Sequence, residues 1–197
     1  MTGKFSTGAI TRATTTPTTT PYGIERHCHL LAAWAASRAA SVKGCRFSVE
    51  QGRAILESAG FDDSYSTPEM LPAPTEMDEK HWAWRAALID AAEVEGVKFT
   101  NGVAAKLVNV YLKIRFVCGG HHAHERVHQL HPPIDAVLLK KLGAFNIGGH
   151  AKAWRKAELT RWSKFNSNEY EAVIGLIRDA LQGEPLWMIE EHWQGNQ

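Results

Sequence analysis

A lysine and an aspartate in the middle of the chain have the residue types and spacing for amine and carboxylate chemistry. Lys106 lies on an apolar, helix-periodic segment that Thr100 or Asn101 can cap. Asp135 follows Pro132-Pro133 at the start of the next such segment, where the free N–H groups of a helix N-terminus favour an ionised carboxylate. A lysine with a lowered pKa is a nucleophile, and a fixed carboxylate stabilises developing positive charge. These two residues form one of two motifs with different chemistry in this part of the chain.

A second motif lies between those two residues. His124-Glu125-Arg126-Val127-His128 fits the H-E-x-x-H pattern, in which two histidines one helical turn apart bind zinc and the glutamate acts as a base. The pattern needs a regular helix and a third ligand, yet the glycines at 119–120 and the prolines at 132–133 leave about three helical turns at most. A zinc hydrolase using His124 and His128 therefore stays an alternative. So does a polar inserted loop, or a structural metal on some of the nearby histidines: His121, His122, His124 and His128.

Length and composition predict one domain with a proper core. The 197 residues are 44% hydrophobic and 22% charged. The formal net charge of +1 conceals an asymmetry, because residues 50–95 carry eleven acidic and three basic residues while residues 98–164 carry twelve basic and three acidic ones. A basic half of this kind is compatible with a surface that meets a polyanion. A solvated surface accounts for the same counts.

Cysteine usage and hydropathy indicate a cytoplasmic protein. Cys28, Cys45 and Cys118 are odd in number and lack C-x-x-C spacing, so neither a disulfide framework nor a cysteine-rich zinc site is expected. The longest apolar run, residues 30–36, is too short to span a bilayer, and the N-terminus lacks the apolar region of a signal peptide. We therefore predict no membrane partner.

The pattern of apolar residues predicts an all-α fold of about eight helices. Residues 1–21 are rich in Thr and Pro and are predicted to form a flexible tail. Ser48-Val49-Glu50-Gln51 and Asn166-Ser167-Asn168-Glu169 are capping boxes that begin two of the helices. No run alternates as a strand would. The predicted helices cover residues 24–42, 48–58, 78–95, 102–116, 134–142, 151–162, 166–181 and 187–193.

The stretch around Lys106 resembles the second helix of the helix-hairpin-helix in the HhH-GPD superfamily of DNA glycosylases. The family pattern reads G-V-G-x-K-x-A-N-V, and Gly102-Val103, Lys106 and Asn109-Val110 occupy the matching positions, with Ala104 in place of the second glycine. The family's next landmark is a catalytic aspartate at the start of the following helix, where this chain has Asp135, 29 positions further on. The cysteines that hold an iron–sulphur cluster in some members are absent. The chain thus resembles a divergent member without that cluster.

The resemblance implies a fold and an activity. It implies a two-lobed glycosylase fold in which residues of about 46–131 form the lobe with the hairpin. Residues 22–45 and 132–197 form the other lobe, and Asp135 lies in the cleft. The implied reaction is excision of a modified or damaged base from double-stranded DNA by N-glycosidic cleavage after base flipping. Asp135 would be the catalytic aspartate, and Lys106 the nucleophile of members that also nick the strand. A monomer without a cofactor is expected.

The resemblance also implies contacts with DNA. Hairpin N–H groups hold a phosphate in this family, which assigns Asn101, Gly102 and Val103 to DNA binding. A flipped base needs an aromatic pocket, for which Trp82 and Trp154 are available. Without the iron–sulphur module of housekeeping repair enzymes, the resemblance favours a hypermodified base of phage DNA, and hence a defence role. The basic residues after Asp135 are expected to face DNA: Lys140, Lys141, Lys152, Arg155 and Lys156.

Other classes stay open from the residues alone. A lysine on an amphipathic helix is usually solvated, and an aspartate after two prolines is usually only a helix cap. A non-catalytic helical DNA-binding protein, a helical scaffold or a toxin partner would need neither residue for chemistry. The order of the two residues within an all-α chain is what favours the glycosylase interpretation.

Overall fold

Helices account for the regular structure of the chain, as the sequence predicts. The structure is a computed structural model that describes residues 22–194, so the predicted tail at 1–21 lies outside the described residues. Within that range the only β-structure is an isolated bridge between Val42 and Cys45. Eight α-helices follow one another: α1 (Ile24–Ala40), α2 (Val49–Ser58), α3 (Met77–Val94), α4 (Asn101–Leu112), α5 (Glu125–His128), α6 (Ala136–Ala144), α7 (Ala151–Thr160) and α8 (Ser167–Leu181).

Shorter helical segments connect these helices. A π-helical segment, Lys113–His121, continues α4 directly, whereas the sequence predicted a regular helix to residue 116. Inside the segment, Gly120 departs from helical geometry with a positive φ of 92°, a conformation that glycine adopts without steric cost. The predicted helix at 187–193 is instead a 3₁₀ helix. The 3₁₀ segments are Pro68–Met70, Pro74–Glu76, Ile147–Gly149, Trp162–Lys164 and Leu186–His192.

Helix starts follow the capping residues read from the sequence. Both predicted capping boxes form, with Ser48 and Gln51 bonding reciprocally at α2 and Asn166 with Glu169 at α8. The Thr100 hydroxyl caps α4 by accepting from Val103 N–H. Asp135 is the N-cap of α6, one position before the first helical turn in which the sequence placed it. These hydrogen bonds fix the start of α4, which carries Lys106, and the start of α6, which Asp135 caps.

Helix α4 lies at the centre of the fold. Residues 102–109 are all buried, and α1 and α3 pack against α4 from the N-terminal half of the chain. The turn Trp162–Lys164 and α8 contact α4 from the C-terminal half, while α6 packs on α7. The buried apolar side chains form one continuous cluster that runs from α1 to the last 3₁₀ helix. No helix of residues 22–194 is long and apolar enough to cross a membrane.

Gly102 allows the start of α4 to lie directly against the Trp162–Phe165 backbone. Its N–H donates to the Phe165 carbonyl oxygen at 3.1 Å, and the Thr100 hydroxyl donates to the Ser163 carbonyl oxygen at 2.9 Å. A β-carbon at position 102 would lie 1.8 Å from the Trp162 carbonyl oxygen, so only glycine fits. This contact holds the segment that carries the Trp162 ring against the N-terminal end of α4.

The close approach predicts opposite effects for two glycine substitutions. Gly102→Ala forces the Trp162 backbone away and should lower the free energy of unfolding by about 1 to 3 kcal/mol or more. Gly175→Ala on α8 is the matched control, because nothing lies within 4 Å of its added β-carbon, and it should raise stability by about 0.5–1 kcal/mol. Urea unfolding of the three proteins measures both. Equal effects of the two substitutions would contradict the packing described.

Candidate active site

Lys106 and Asp135 meet in the folded chain. Lys106 Nζ donates to Asp135 Oδ2 at 3.1 Å, across a sequence separation of 29 residues. The Asp135 carboxylate accepts two further hydrogen bonds: its Oδ1 from Leu138 N–H at 2.9 Å, and its Oδ2 from the indole Nε1–H of Trp193 at 2.9 Å. The carboxylate is therefore fixed by three donors on α4, α6 and the C-terminal segment.

The environment of the pair changes the pKa of both groups. Lys106 is only 6% exposed, and its Nζ lies 5.7 Å from the centre of the Trp162 ring, within cation–π range. Burial lowers the pKa of Lys106, and the Asp135 carboxylate offsets part of that effect. Burial alone would raise the pKa of Asp135, but the Lys106 ammonium and the hydrogen bonds from Leu138 and Trp193 lower it overall. The pair thus combines an ionised carboxylate with a lysine that loses its proton more readily than usual.

A cavity of about 400 Å³ opens beside the pair. It also contains a second lysine–carboxylate pair, formed by Lys113 of the π-helical segment and Glu190 of the last 3₁₀ helix. Burial raises the pKa of Glu190, although Lys113 works against that rise. The volume falls within the range of small-molecule sites. The lining consists of Ala39, Lys106, Val110, Lys113, Ile114, Pro133, Asp135, Trp162, Glu190 and Trp193.

Asn109 anchors the extended segment that leads to Asp135. It lies three residues after Lys106 on α4, and its Nδ2 donates to the Pro132 carbonyl oxygen at 3.0 Å and to the Tyr170 hydroxyl at 2.9 Å. The side chain is fully buried. One side chain of α4 therefore sets the position of the approach to Asp135, while another side chain of the same helix contacts Asp135 directly.

A buried chain of hydrogen bonds supports Asn109. The Asn109 Oδ1 accepts from His81 Nε2 at 2.7 Å, which requires the proton to be on that nitrogen. On the other side, the Tyr170 hydroxyl lies 3.1 Å from His131 Nδ1, and His131 Nε2 lies 2.8 Å from Asp78 Oδ1. Burial lowers the pKa of both His81 and His131, so both rings are neutral links. His131 thereby fixes the end of the histidine-rich segment.

The hairpin residues predicted to bind phosphate have other roles. The Gly102 N–H donates to Phe165 and the Val103 N–H donates to Thr100, and both residues are buried. The predicted contact with a DNA phosphate stays a prediction; in this fold both amides bond within the chain. The physical reason is the close packing of the 162–165 segment on the start of α4. Asn101 is partly exposed beside them.

The basic residues and tryptophans divide between surface and interior. Of the basic residues, Lys141 is partly exposed and donates to Gln194 Oε1 at 3.1 Å, next to Trp193. Trp82 is 55% exposed on α3, and Trp154 is fully buried; neither lines the cavity beside Lys106. The tryptophans that line this cavity are Trp162 and Trp193. The remaining predicted DNA-facing residues are exposed on α6 and α7: Lys140, Lys152, Arg155 and Lys156.

The H-E-x-x-H segment lacks the helix that zinc binding requires. His124 is the extended N-cap of α5, and its ring accepts from Arg126 N–H at 3.2 Å. Helix α5 contains only four residues, so His124 and His128 do not lie on one regular helix. Among residues 22–194, no group of three or more His, Cys, Asp or Glu side chains could hold a metal ion. The described residues therefore do not supply the ligand set of the zinc hydrolase alternative.

The sequence did not identify several residues of the cavity, among them Lys113, Glu190 and Trp193. Lys113 follows Lys106 by seven positions and so lies on the same side of the helix, a spacing that could have pointed to it. Glu190 and Trp193 are one turn apart near the C-terminus, but only tertiary packing brings them to Asp135. Comparison of the chain with protein-family models, curated proteins and solved structures finds no match.

The charge coupling in the pair can be tested without a substrate. In Asp135→Asn the helix cap can persist, but the main charge that keeps Lys106 protonated is gone. We therefore expect the Lys106 pKa to be lower in this variant than in the original protein. An NMR titration of ¹³C-labelled lysine measures this, with Glu191→Gln at an exposed site as the control that leaves Lys106 unchanged. A Lys106 pKa that is the same in Asp135→Asn as in the original protein would contradict the coupling.

Proposed function

We propose that this protein is a DNA glycosylase that excises a modified or damaged base and can cleave the resulting abasic site through Lys106. The observation that carries the proposal is the buried Lys106–Asp135 contact at the edge of a cavity that also contains two tryptophans. The two-lobed HhH-GPD-like architecture, with Asp135 in the cleft, is part of the proposal. So is a role in DNA repair or in defence against phage.

Asp135 has the properties that N-glycosidic cleavage requires. Breaking the bond builds positive charge on the sugar, and a preorganised carboxylate stabilises that charge at no further cost of orientation. Asp135 is ionised because its pKa is lowered, and three donors fix its position. Its partly exposed side chain borders the cavity that would receive the sugar.

Lys106 has the properties that covalent chemistry requires. An attacking amine must be neutral, and burial lowers the pKa of this one. The adjacent Asp135 can accept its proton across the 3.1 Å contact. Trp162 and Trp193 offer aromatic surfaces against which a flipped base could stack. The exposed basic residues of α6 and α7 would supply contacts to DNA phosphates.

Replacing Asp135 with the isosteric asparagine tests the excision step. We expect Asp135→Asn to lower abasic-site formation by about 10²- to 10³-fold, because the sugar cation loses its stabilising charge. The measurement uses duplex DNAs that each carry a different modified base, followed by detection of abasic sites. Circular dichroism and DNA binding should be little changed. Excision that persists in Asp135→Asn would remove the basis of the assignment. If the original protein binds DNA but excises no base, and Asp135→Asn binds equally well, the protein is a non-catalytic binding module.

Borohydride trapping tests the covalent step separately. With duplex DNA that contains a preformed abasic site, Lys106→Met should lose the trapped complex, whereas Lys80→Met, at an exposed position on α3, should retain it. The trapping rate should rise with pH through a midpoint below the usual lysine value of about 10.4, because only the neutral amine attacks. Excision without trapping would indicate a monofunctional enzyme. Trapping that survives Lys106→Met would exclude Lys106 as the nucleophile.

A further inference from the structure

Glu190 is a second carboxylate of the cavity that the proposed function leaves without a role. It lies on the last 3₁₀ helix, and its side chain is 17% exposed. Both Glu190 and Asp135 line the cavity beside Lys106, and the charges of Lys106 and Asp135 act on Glu190. A carboxylate at this position can reach a substrate that occupies the cavity.

The backbone ties Glu190 to the Lys106–Asp135 pair. Trp193 N–H donates to the Glu190 carbonyl oxygen at 2.9 Å, while the Trp193 indole donates to Asp135. Lys113, the ion-pair partner of Glu190, follows Lys106 by seven residues along one continuous helical segment. The two lysine–carboxylate pairs therefore stand side by side in a fixed arrangement.

The two carboxylates differ in how many of their lone pairs are in use. Asp135 accepts from Lys106, Leu138 and Trp193, so both of its oxygens are engaged. Glu190 accepts from Lys113 through Oε2, and within residues 22–194 no hydrogen bond is made to its Oε1. Of the two carboxylates, Glu190 is thus the one with an oxygen that accepts no hydrogen bond from the described residues, and that oxygen can take a proton from a substrate. Burial also increases its affinity for a proton, which suits a general base at neutral pH.

We propose that Glu190 is the general base of strand cleavage, the step that follows Schiff-base formation by Lys106; this inference rests on the proposed function. Asp135 takes a proton from the Lys106 ammonium, and the neutral Nζ attacks C1′ of the abasic sugar; Asp135 then returns that proton to the C1′ hydroxyl, which leaves as water and gives a protonated Schiff base. Glu190 then takes a proton from C2′, and the C–H electron pair forms a C1′=C2′ bond that neutralises the nitrogen. That enamine expels the 3′-phosphate as the C3′–O bond breaks with its electron pair. No oxidant or reductant is needed.

A preformed abasic site separates this inference from the identity of the base. Duplex DNA with one abasic site is incubated with the original protein and with Glu190→Gln, and borohydride trapping and strand cleavage are measured on the same samples. Trapping by Glu190→Gln should stay within about twofold, because Schiff-base formation does not use Glu190. Cleavage should fall by about 10²- to 10⁴-fold, the usual contribution of a general base. Glu191→Gln, at the exposed neighbouring position, should change neither.

Every outcome of this experiment either supports or overturns the role of Glu190 as a general base. Cleavage that is unaffected in Glu190→Gln overturns the inference. Parallel loss of trapping and cleavage also overturns it, since Glu190 would then only support the cavity. Glu190→Asp supplies a second variant, in which a shorter carboxylate should restore part of the cleavage that glutamine abolishes; equal loss in both variants counts against a base. Failure of the original protein to be trapped at all overturns the proposed lyase function itself, and the inference with it.

Discussion

The burial of the Lys106 ammonium is the constraint on which the site depends. Removing a charge from water costs several kcal/mol unless a partner of opposite charge replaces the solvent, and loss of that partner leaves an uncompensated buried charge. Lys106 is 6% exposed, and within residues 22–194 its hydrogen-bond partner is Asp135, with the face of Trp162 nearby. The fold must therefore hold α4, the start of α6 and the 162–165 segment together. Gly102 holds the 162–165 segment against α4 by close packing. Asn109, also on α4, holds the approach to α6 through its hydrogen bond to the Pro132 carbonyl oxygen.

The two members of the pair are restrained to different degrees, and this difference suits the proposed chemistry. Asp135 is fixed by donors from three elements, so its carboxylate cannot turn away from the cavity without breaking several bonds. Lys106 has a long, flexible side chain that makes one hydrogen bond to the part of the chain that the structure describes, so its amine can move once that bond is released. A fixed charge stabilises a developing cation best, whereas a nucleophile has to move towards the carbon that it attacks. The aspartate is thus positioned in advance, and the lysine stays mobile.

Short sequence motifs predicted most helix starts and the Lys106–Asp135 half of the site. The capping boxes at Ser48 and Asn166, and Asp135 after its two prolines, act within a few residues, so the sequence alone locates them. The contacts of Trp193 and Glu190 depend on how the C-terminal segment packs, which no local pattern records. The same holds for Gly102, where the Trp162 backbone leaves no room for a side chain. In the histidine segment, H-E-x-x-H suggested a helix, but His124 caps a helix of only four residues.

Under the proposed function, binding and chemistry rely on separate sets of charges. Inside the cavity, Lys106 and Lys113 are each paired with a carboxylate, so the cavity carries no excess positive charge that would draw a phosphate onto the nucleophile. Lysine and arginine side chains on the exposed faces of α6 and α7 have no such constraint, and a polyanion would meet them first. Salt would weaken those surface contacts while leaving the buried pairs largely unscreened. The neutral cavity therefore leaves the Lys106 amine free to attack the sugar carbon. The exposed basic residues of α6 and α7 supply the affinity for DNA.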